Sequence, residues 1–519
     1  MVLIEMNTEF RQALELMEKT SKNVFITGRA GTGKSTLLEY FRGKTTKKVA
    51  LLAPTGVAAL NIRGQTIHSF FRFGPGITIN RIEKYKGKNE NLYKKLEIII
   101  IDEISMVRAD LLDCIDKFLR LNRESKKPFG GVQIVFIGDL YQLSPIVNGK
   151  ERELFRNRYK SQYFFDADVF QDLEMEFIEL EKIYRQKDIE FISILNAIRS
   201  NLAGEEELRE LNMRVNPEFE KKTDDFYIYL TTTNMLSEEI NNRELKKLKG
   251  KSFNYTGKLK GNFDKGSLPA PLDLNVKTGS QVMLLNNDSS DRWVNGSIGK
   301  ITAIEEDGII VKLSDGEEVE VDPHKWELYK MHYDKEKDSL ESEVLGSFTQ
   351  FPMKLAWAVT IHKAQGKTFD KVIIDIGSGT FCHGQVYVAL SRCTTLEGII
   401  LKKPIEKKHI FMDWKVVKFL TKYQYGKSEK KCSLEDKIRI IKKAIRDNSK
   451  LDIVYLKASD VKSRRTIKPI SVGEQEYMGR TYQGLEAFCL KRNANRMFRV
   501  DRILEISRTN QAQDVVREG

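Results

Sequence analysis

Residues 27–36 read TGRAGTGKST and carry the side chains best suited to chemistry at a phosphate. Glycines let a loop bring its backbone N–H groups around phosphate oxygens, a lysine reaches the β- and γ-phosphates, and a hydroxyl holds Mg²⁺. The residues of these types and spacing are Gly28, Gly31, Thr32, Gly33, Lys34, Ser35 and Thr36. The stretch predicts a nucleoside triphosphate site, although kinases, GTPases and motors all share the pattern.

Acidic and amide side chains after two later apolar runs would complete such a site. The run LEIIIIDE ends in Asp102, which we expect to hold the metal, and Glu103, which we expect to orient or deprotonate a water. The stretch GDLYQLSP follows another apolar run and places Gln142 where it could contact the γ-phosphate. The alternative for Gln142 is a solvated side chain on a capped loop. Together these residues predict hydrolysis of the triphosphate rather than binding alone.

Two arginines far along the chain are candidates to act on the same phosphate. Arg185 lies in IYRQKD, and Arg392 ends VYVALSR on a predicted helix. A lone arginine is usually a surface charge. In an ATPase built from two units, however, an arginine of the second unit can complete the first unit's site and raise the rate by about 10³–10⁵-fold.

The elements that would position these residues alternate between apolar strands and amphipathic helices. The runs NVFITG, KVALLAPT, LEIIIIDE and VQIVFIGD each end in polar residues, as strands do at the ligand-binding edge of a parallel sheet. Leu111, Leu112, Ile115, Phe118 and Leu119 recur at helical spacing and predict a covering helix. A second unit begins near residue 181 and contains FYIYLTTTN, KVIIDIG and GIILKKP. The fold class is therefore α/β, with two parallel sheets.

Three stretches interrupt or follow this pattern. Residues 71–95, rich in glycine and lysine, read as an excursion from the first sheet. Residues of about 246–345 form short strands with turns at Asp307-Gly308 and Asp315-Gly316, which predicts an all-β insertion. The polar segment GKSEKKCS after Tyr425 is interpreted as a linker to a separate, basic C-terminal domain.

The composition indicates a polyanionic partner. The chain of 519 residues carries 86 Lys+Arg against 73 Asp+Glu, a formal net charge of +13. Nucleic acid is the commonest such partner, although an acidic membrane surface would also fit. The five cysteines are scattered without a CxxC pair, which indicates neither a disulfide framework nor a zinc site. With no signal-peptide pattern and no apolar run of membrane-spanning length, we expect a soluble cytoplasmic protein.

Taken in order and spacing, these motifs resemble the Pif family of helicases, a RecD-like branch of superfamily one. The resemblance covers about residues 10–420. It rests on TGRAGTGKST, LAPTGVAAL, TIHSFF, IIIDEISM, PFGGVQIVFIGDLYQLSP, IYRQ, WAVTIHKAQGKT and VYVALSR. The stretch 116–133, which closes with PFGGVQ, is similar to the segment that separates this family from its relatives.

The resemblance implies two RecA-like domains, residues 1–180 and 181–425, that clamp ATP and Mg²⁺ and move 5′ to 3′ on single-stranded DNA. It implies that residues 71–95 form a wedge and residues 246–345 an SH3-like subdomain. The residues it assigns to ATP are Lys34, Ser35, Asp102, Glu103, Gln142, Arg185, Gln365, Gly366 and Arg392. Those it assigns to the DNA strand are Pro54, Thr55, Gly56, Thr66, His68, Thr360, His362 and Lys363. A hydrogen-bonded structural role is the alternative for His362, and core packing for Phe70, Phe71 and Phe73.

Residues 434–519 resemble the WYL domain, a small Sm-like β-barrel of regulators linked to nucleic acids. The resemblance rests on LDIVYLKASD, SRRTIKPI and YQGLEAFCLKRNANRMFRVDRI. Five arginines there could contact phosphates, or be ordinary solvated charges. They are Arg464, Arg465, Arg496, Arg499 and Arg502.

The sequence therefore predicts a DNA helicase with a regulatory C-terminal domain, acting on single-stranded and forked DNA, without a membrane and as a monomer. Two alternatives stay open. One is an RNA or mixed-substrate helicase, and quadruplex DNA is a further substrate to test. The other is a nucleotide-switched nucleic-acid-binding module that hydrolyses slowly, against which Glu103, Arg185 and Arg392 argue.

Overall fold

The structure, a computed structural model, describes residues 6–509 except for short gaps. The gaps are residues 75, 88–89, 146, 148–154, 156–157, 187, 221–224, 262–267, 291, 306–307, 335–338, 378, 381 and 478. The chain divides into two compact units, Met1–Phe411 and Met412–Gly519. Within the described part, no helix is both long and apolar enough to span a membrane. All five cysteines are free thiols.

The first unit begins with a six-stranded sheet in which every strand pair is parallel. Its strands are β1 (Asn23–Gly28), β2 (Val49–Ala53), β3 (Gln65–Thr66), β4 (Ile98–Ile101), β5 (Gln133–Ile137) and β6 (Met175–Leu180), in the order β3-β2-β4-β5-β1-β6. The central strands are buried on both faces, as their unbroken apolar sequences predict. The loop TGRAGTGKST, Pro54, Asp102 and Asp139 follow four of these strands, so they share one edge of the sheet.

Helices cover both faces of this sheet. They are α1 (Thr8–Lys19), α2 (Lys34–Lys44), α3 (Gly56–Asn61), α4 (Ile67–Phe71), α5 (Glu90–Lys95), α6 (Ala109–Arg123) and α7 (Asp168–Gln171), with 3-10 turns at Ile79–Arg81, Ile104–Met106, Pro128–Gly131 and Phe164–Asp166. The five apolar residues that predicted α6 are all buried in it, which confirms that helix. In α1 the Asn7 side chain accepts the N–H of Phe10, and Phe10, Ala13 and Met17 face the core.

The remaining strands of this unit are, in chain order, β7 (Ile228–Thr231), β8 (Phe253–Thr256), β9 (Lys258–Gly261), β10 (Asp273–Val276), β11 (Gln281–Leu284), β12 (Ile298–Ile304), β13 (Ile309–Leu313), β14 (Glu318–Val321), β15 (His324–Asp334), β16 (Ser339–Gln350), β17 (Met353–Leu355), β18 (Ala358–Thr360), β19 (Val372–Asp375) and β20 (Ile399–Leu401). Strands β7 and β18–β20 form a second parallel sheet in the order β18-β7-β19-β20. The prediction of an α/β fold with two parallel sheets is therefore confirmed. The helices here are α8 (Ile189–Arg199), α9 (Glu205–Asn212), α10 (Asn234–Lys247) and α11 (Gln385–Leu390), with a 3-10 turn at Lys407–His409.

The strands between β7 and β18 are antiparallel, which confirms an all-β insertion. They form sheets of five (β14-β13-β12-β11-β17), three (β15-β16-β9) and two strands (β10-β8). The turn at Asp315-Gly316 joins β13 to β14, with Gly316 at a φ of 97°. Of the other predicted turn, Asp307 lies outside the described residues. The insertion extends beyond the predicted limit of 345, because β16 and β17 continue it to Leu355.

The described part of residues 71–95 contains the 3-10 turn and α5 and packs on α6. Lys117 Nζ donates to Ile79 O at 2.9 Å, and the Tyr85 N–H donates to Asn122 Oδ1 at 2.9 Å. The side chains of Phe70, Phe71 and Phe73 are buried in an aromatic cluster with Tyr93 and Phe118. Core packing, the alternative to base stacking, therefore accounts for the three phenylalanines.

The second compact unit contains two helices and a five-stranded antiparallel sheet. They are α12 (Trp414–Lys431), α13 (Leu434–Arg446), β21 (Leu451–Leu456), β22 (Lys462–Tyr477), β23 (Arg480–Cys489), β24 (Ala494–Arg499) and β25 (Ile503–Arg508), with 3-10 turns at Leu490–Arg492 and Val500–Arg502 and strand order β24-β23-β22-β21-β25. The core contains Ile441, Ile453, Ile467 and Leu485.

The linker prediction for GKSEKKCS is wrong. This segment forms the last turns of α12 and the N-cap of α13, where Ser433 Oγ accepts the Asp436 N–H at 3.1 Å. Ser428 is buried and donates to the carbonyl of Leu504 on β25 at 2.8 Å, and Lys437 Nζ donates to Ser428 Oγ at 2.8 Å. The polar composition of the segment suggested an exposed linker, but its buried polar side chain, Ser428, forms hydrogen bonds within the fold instead of facing solvent.

Candidate active site

The phosphate loop runs from the end of β1 to the start of α2. Gly31 and Gly33 adopt φ values of 79° and 85°, a left-handed conformation that glycine adopts without strain. The ammonium of Lys34 lies inside the loop and donates to Gly28 O at 2.8 Å and Arg29 O at 2.9 Å. Burial lowers the pKa of Lys34, although Asp139 and Glu103 favour its charged form. The loop thus gathers backbone N–H groups and one cation at the N-terminus of a helix, as an anion site requires.

Asp102 and Glu103 follow β4 directly at the same edge of the sheet. Burial raises the pKa of Asp102. The pKa of Glu103 rises to about 7, first because the side chain is buried and second because Asp102 lies beside it. The backbone of Glu103 is left-handed, with φ 50° and ψ 42°. A carboxylate whose pKa lies near neutrality is suited to accept a proton from water.

Gln365 joins the two parallel sheets at this point. Its Nε2 donates to Glu103 Oε2 at 3.0 Å and to Gln142 Oε1 at 3.1 Å. Gln142 is 5% exposed, so the alternative of a solvated glutamine is wrong. Gly366 has a φ of 80°, and a Cβ there would meet nothing within 4 Å. Residues predicted to bind nucleotide from both halves of the sequence therefore meet at one place.

Arg392 and Arg185 lie close to each other near the phosphate loop. Arg392, just after the end of α11, is 1% exposed and donates to Val388 O at 2.9 Å, Lys367 O at 3.2 Å and Ser391 Oγ at 2.8 Å. Burial, and next the neighbouring Arg185, lowers the pKa of Arg392 to about 9. A Cβ built on Gly31 of the phosphate loop would lie 2.5 Å from Arg185 Cβ, so Arg185 packs directly on the loop.

Asp139, Arg199 and Tyr387 form a buried network that the sequence did not identify. Asp139 follows β5 and forms an ion pair with Arg199 at 3.2 Å, while the Arg199 guanidinium lies 4.0 Å from the centre of the Tyr141 ring. Tyr387 Oη donates to Asp139 Oδ2 at 3.3 Å. Asp139 lies in GDLYQLSP and Tyr387 in VYVALSR, so both residues could have been proposed as site residues from the motifs that contain them. Arg199 ends an ordinary amphipathic helix and offered none.

Lys367 is a further residue that sequence reasoning missed. Its carbonyl accepts from Arg392, while its Nζ donates to Asn295 Oδ1 at 2.5 Å. Asn295 Nδ2 donates in turn to the side chain of Asn61, the last residue of α3, at 3.1 Å. Burial lowers the pKa of Lys367 to about 8. The all-β insertion therefore contacts both the segment that carries Gln365 and the helix that follows Pro54.

The residues predicted to contact DNA lie mainly where strands of the parallel sheets end. Thr55 and Thr66 are N-caps, with each hydroxyl accepting the N–H of the residue three positions on, in α3 and α4. Pro54 and Gly56 flank Thr55, and Thr360 ends β18 with its hydroxyl accepting the Lys363 N–H at 3.3 Å. Burial lowers the pKa of both His68 and His362.

A cavity of about 310 Å³ lies beside the segment of Thr360, His362 and Lys363, and Lys363 lines it. Its lining includes Lys363, Lys354, Asn241 and Ser237. The pKa of Lys354 falls to about 7, because it is buried and because Lys367 and Lys363 lie near it. The carboxylates of Glu238 and Asp273 also line the cavity, so its lining carries charges of both signs beside amide and apolar side chains.

The five arginines of the C-terminal unit that were predicted to contact phosphates do not share one face. Arg464 and Arg465 are consecutive on β22, so they point to opposite faces of the sheet. Arg465 pairs with the buried Ile453 and is half-buried, while Arg464 is exposed. On β24, Arg496 is exposed, whereas Arg499 forms an ion pair with Asp501 at 2.7 Å. Arg502 is half-buried. Arg464 and Arg496 are therefore the most accessible of the five.

Comparison with known proteins places this geometry among helicases. The family model of the PIF1-like helicase matches residues 5–206, and that of the WYL domain matches residues 436–508. The ATP-dependent DNA helicase Pif1 of Bdellovibrio bacteriovorus is 32% identical over 432 residues, which cover 81% of this chain and 93% of that protein. Human ATP-dependent DNA helicase PIF1 is 33% identical over 399 residues, covering 73% of this chain and 58% of that protein.

Solved structures of similar chains include several from Bacteroides. Pif1 from Bacteroides sp in complex with ADP-AlF4 is 40% identical, with a TM-score of 0.76, and the match covers 81% of this chain and 97% of that one. A Bacteroides Pif1 bound to ssDNA is 40% identical, with a TM-score of 0.60, over 80% of this chain and 96% of that one. A third structure concerns unwinding of forked dsDNA by two coordinating Pif1 helicases, at 41% identity, a TM-score of 0.60 and coverage of 81% and 97%.

Proposed function

Since the chain belongs to the PIF1-like helicase family, we propose that it moves 5′ to 3′ along single-stranded DNA and separates the strands of a fork. The chain is an ATP-dependent DNA helicase, and the direction is our inference. The observation that carries the mechanism is the double hydrogen bond of Gln365 to Glu103 and Gln142. It joins the two parallel sheets through the two residues that we propose act at the γ-phosphate, so a change at that phosphate can alter the contact between the sheets.

We propose these roles for the site. Lys34 and the loop N–H groups bind the β- and γ-phosphates, and Glu103 orients and deprotonates the attacking water. Arg185 and Arg392 neutralise charge that develops on the γ-phosphate, as arginine fingers do. Gln142 contacts the same phosphate, and Gln365 couples it to the second sheet.

Mg²⁺ would be held by the Ser35 hydroxyl, the Asp102 carboxylate and the phosphates of the nucleotide. These oxygen donors are the kind that Mg²⁺ prefers, and it often takes only one or two from protein. Among the described residues no group of three or more His, Cys, Asp or Glu is placed to hold a metal ion. When bound, the ion would neutralise negative charge on the phosphates of the nucleotide.

The domain identities are also proposals. We propose that the two parallel sheets belong to RecA-like domains, the antiparallel insertion to an SH3-like subdomain, residues 71–95 to a wedge, and the C-terminal unit to a WYL-like domain with an Sm-like barrel. Grip on the DNA strand would come from Pro54, Thr55, Gly56, Thr66, His68, Thr360, His362 and Lys363. Residues 54–68 of this set follow strands of the first parallel sheet, and residues 360–363 follow β18 of the second. This supports the proposal, because the distance between the two sets would then change when the cleft between the sheets opens or closes.

A monomer should suffice for hydrolysis, because Lys34, Glu103, Arg185 and Arg392 all come from one chain. Two copies at a fork, as in the structure with two coordinating Pif1 helicases, would add to strand separation. A nucleotide-switched binding module is the weaker candidate, since two arginines beside the phosphate loop serve fast hydrolysis. An RNA or mixed-substrate activity, and unwinding of quadruplexes, are alternatives that the substrate panel below separates.

We predict that the protein unwinds duplexes with a 5′ single-stranded tail and leaves those with only a 3′ tail intact. Strand release from matched 5′-tailed and 3′-tailed DNA, the same pair in RNA, and a folded quadruplex with a 5′ tail would measure this. The logarithm of the association constant for single strands should fall linearly with the logarithm of the salt concentration, with a slope of about −0.7 per phosphate contact, because bound counterions are released. Unwinding of the 3′-tailed duplex alone would refute the direction.

We further predict that the C-terminal unit adds a contact to single-stranded DNA without taking part in hydrolysis. Replacing the exposed Arg464 and Arg496 by alanine should weaken binding to single-stranded DNA and reduce the salt slope by about 0.7 per lost phosphate contact. Basal ATP hydrolysis should not change. A Lys442→Ala, Lys443→Ala variant removes the same charge from exposed positions on α13 and is the control. Identical isotherms for the arginine variant and the unaltered chain at matched salt would indicate a protein or small-molecule partner instead.

A further inference from the structure

Tyr387 connects the helix before Arg392 to the phosphate loop. It lies within α11 and is 4% exposed. Its hydroxyl accepts the backbone N–H of Ala30 at 3.1 Å and donates to Asp139 Oδ2 at 3.3 Å. Ala30 belongs to the phosphate loop and Asp139 follows β5, so both partners are on the first parallel sheet. The tyrosine itself follows β19 of the second sheet.

The same helix has a second fixed point at its start. Its N-cap is Gly384, with a φ of 77°, where a Cβ would lie 2.5 Å from Tyr141 O and 2.7 Å from Gln142 O. No larger residue fits without moving this backbone. The helix α11 is thus held at Gly384 against the loop of Gln142 and at Tyr387 against the phosphate loop, and Arg392 follows immediately after it.

In the hydrogen bond between Tyr387 and Asp139, the proton belongs to the tyrosine hydroxyl. Burial would raise the pKa of Asp139, but Arg199, Lys34 and the Tyr141 N–H outweigh it, so the pKa is lowered and the side chain stays a carboxylate. Burial, and next Asp139, raises the pKa of Tyr387 to about 12, so the phenol keeps its proton. The contact is therefore a hydrogen bond in which the phenol of Tyr387 donates to an ionised carboxylate.

We propose that Tyr387 is a positioning residue for Arg392: its hydroxyl sets the distance between the phosphate loop and the helix that delivers the guanidinium. The inference rests on the proposed role of Arg392 at the γ-phosphate. The hydroxyl does not touch the reacting atoms in this account. It acts by keeping α11 registered to the loop that binds the phosphates, and misplacement of a catalytic group by about 1 Å costs about a hundredfold in rate.

The test is Tyr387→Phe, which removes one oxygen atom and keeps the ring. The kcat of DNA-stimulated ATP hydrolysis should fall by about 10- to 100-fold, while the KM for ATP stays within about twofold. Tyr159→Phe is the matched control, because Tyr159 is also buried in this unit and its hydroxyl forms a hydrogen bond with the carboxylate of Asp113. It should leave kcat unchanged. A Tyr387→Phe variant with normal kcat, or with a loss confined to KM, would overturn the proposal.

The double variant Tyr387→Phe, Arg392→Ala separates positioning from a merely structural role. If the hydroxyl acts through the guanidinium, adding Tyr387→Phe to Arg392→Ala should lower kcat no further than Arg392→Ala does alone. Independent, multiplying losses would overturn the proposal even if Arg392 is essential. Normal activity of Arg392→Ala alone would instead refute the role of that arginine, so the two failures are distinguishable.

A measurement that needs no turnover guards against a variant that folds poorly. Hydrogen–deuterium exchange at the Ala30 amide should accelerate in Tyr387→Phe, because that N–H loses its acceptor, while the amides of β4 and β5 keep their protection. Unchanged exchange at Ala30 would show that the hydroxyl does not hold the loop. Accelerated exchange throughout the sheet would show a general loss of structure and would also contradict the proposal.

Discussion

Replacing Arg392 by alanine is expected to lower DNA-stimulated ATP hydrolysis by about 10³-fold or more, which is the scale on which arginine fingers act. The side chain is buried beside Arg185, and Glu103 is among the charges that act on it. Single-strand affinity should largely survive, because the residues proposed to grip DNA are other ones.

Single-turnover ATPase rates and fluorescence-based DNA binding would measure these two quantities. Arg392→Lys keeps the charge but loses the planar fork, so it should recover little of the rate. Arg243→Ala, which removes an exposed arginine on α10, is the control for net charge. An Arg392→Ala protein with intact ATPase activity would show that this arginine has another purpose.

Replacing Glu103 by glutamine is expected to give a protein that binds ATP and hydrolyses it about 10²- to 10⁴-fold more slowly, the usual contribution of a general base. Glutamine has the same shape, and its Oε1 can still accept from Gln365, so the contact between the sheets should persist. The loss would therefore be in kcat rather than in nucleotide affinity. Near-normal DNA-stimulated turnover in this variant would rule out Glu103 as the base.

Lys34→Ala is the informative comparison, because it should fail at an earlier step. Its ammonium is the cation inside the phosphate loop, and without it productive phosphate binding should be lost. Equilibrium binding of a slowly hydrolysed ATP analogue would distinguish the two variants. Retained binding in Glu103→Gln with lost binding in Lys34→Ala is the expected pattern.

The sequence predicted the parts of this site that depend on a few neighbouring residues. A phosphate loop is specified by glycines and a lysine within ten positions, and Asp102 by the apolar strand that precedes it. Both parallel sheets were predictable for the same reason, since buried parallel strands are nearly continuous apolar runs.

What escaped prediction were contacts between residues far apart in the chain. Tyr387 and Asp139 are separated by 248 positions, and Lys367 and Asn295 by 72. Each is an ordinary polar residue in its own segment, and only the packing of the segments gives it a partner. The arginines of β22 are a different case, because strand periodicity already implies that Arg464 and Arg465 diverge once the strand is recognised.

The backbone at Glu103 has a consequence for engineering this protein. A left-handed conformation costs a residue with a Cβ about 1–2 kcal/mol, and burial of the carboxylate next to Asp102 adds to that cost. Glycine at this position would remove the conformational cost of the left-handed backbone and also the buried carboxylate beside Asp102. A library selected for heat resistance alone would therefore enrich changes at position 103 that abolish turnover, and selection for a more thermostable enzyme has to hold this codon fixed.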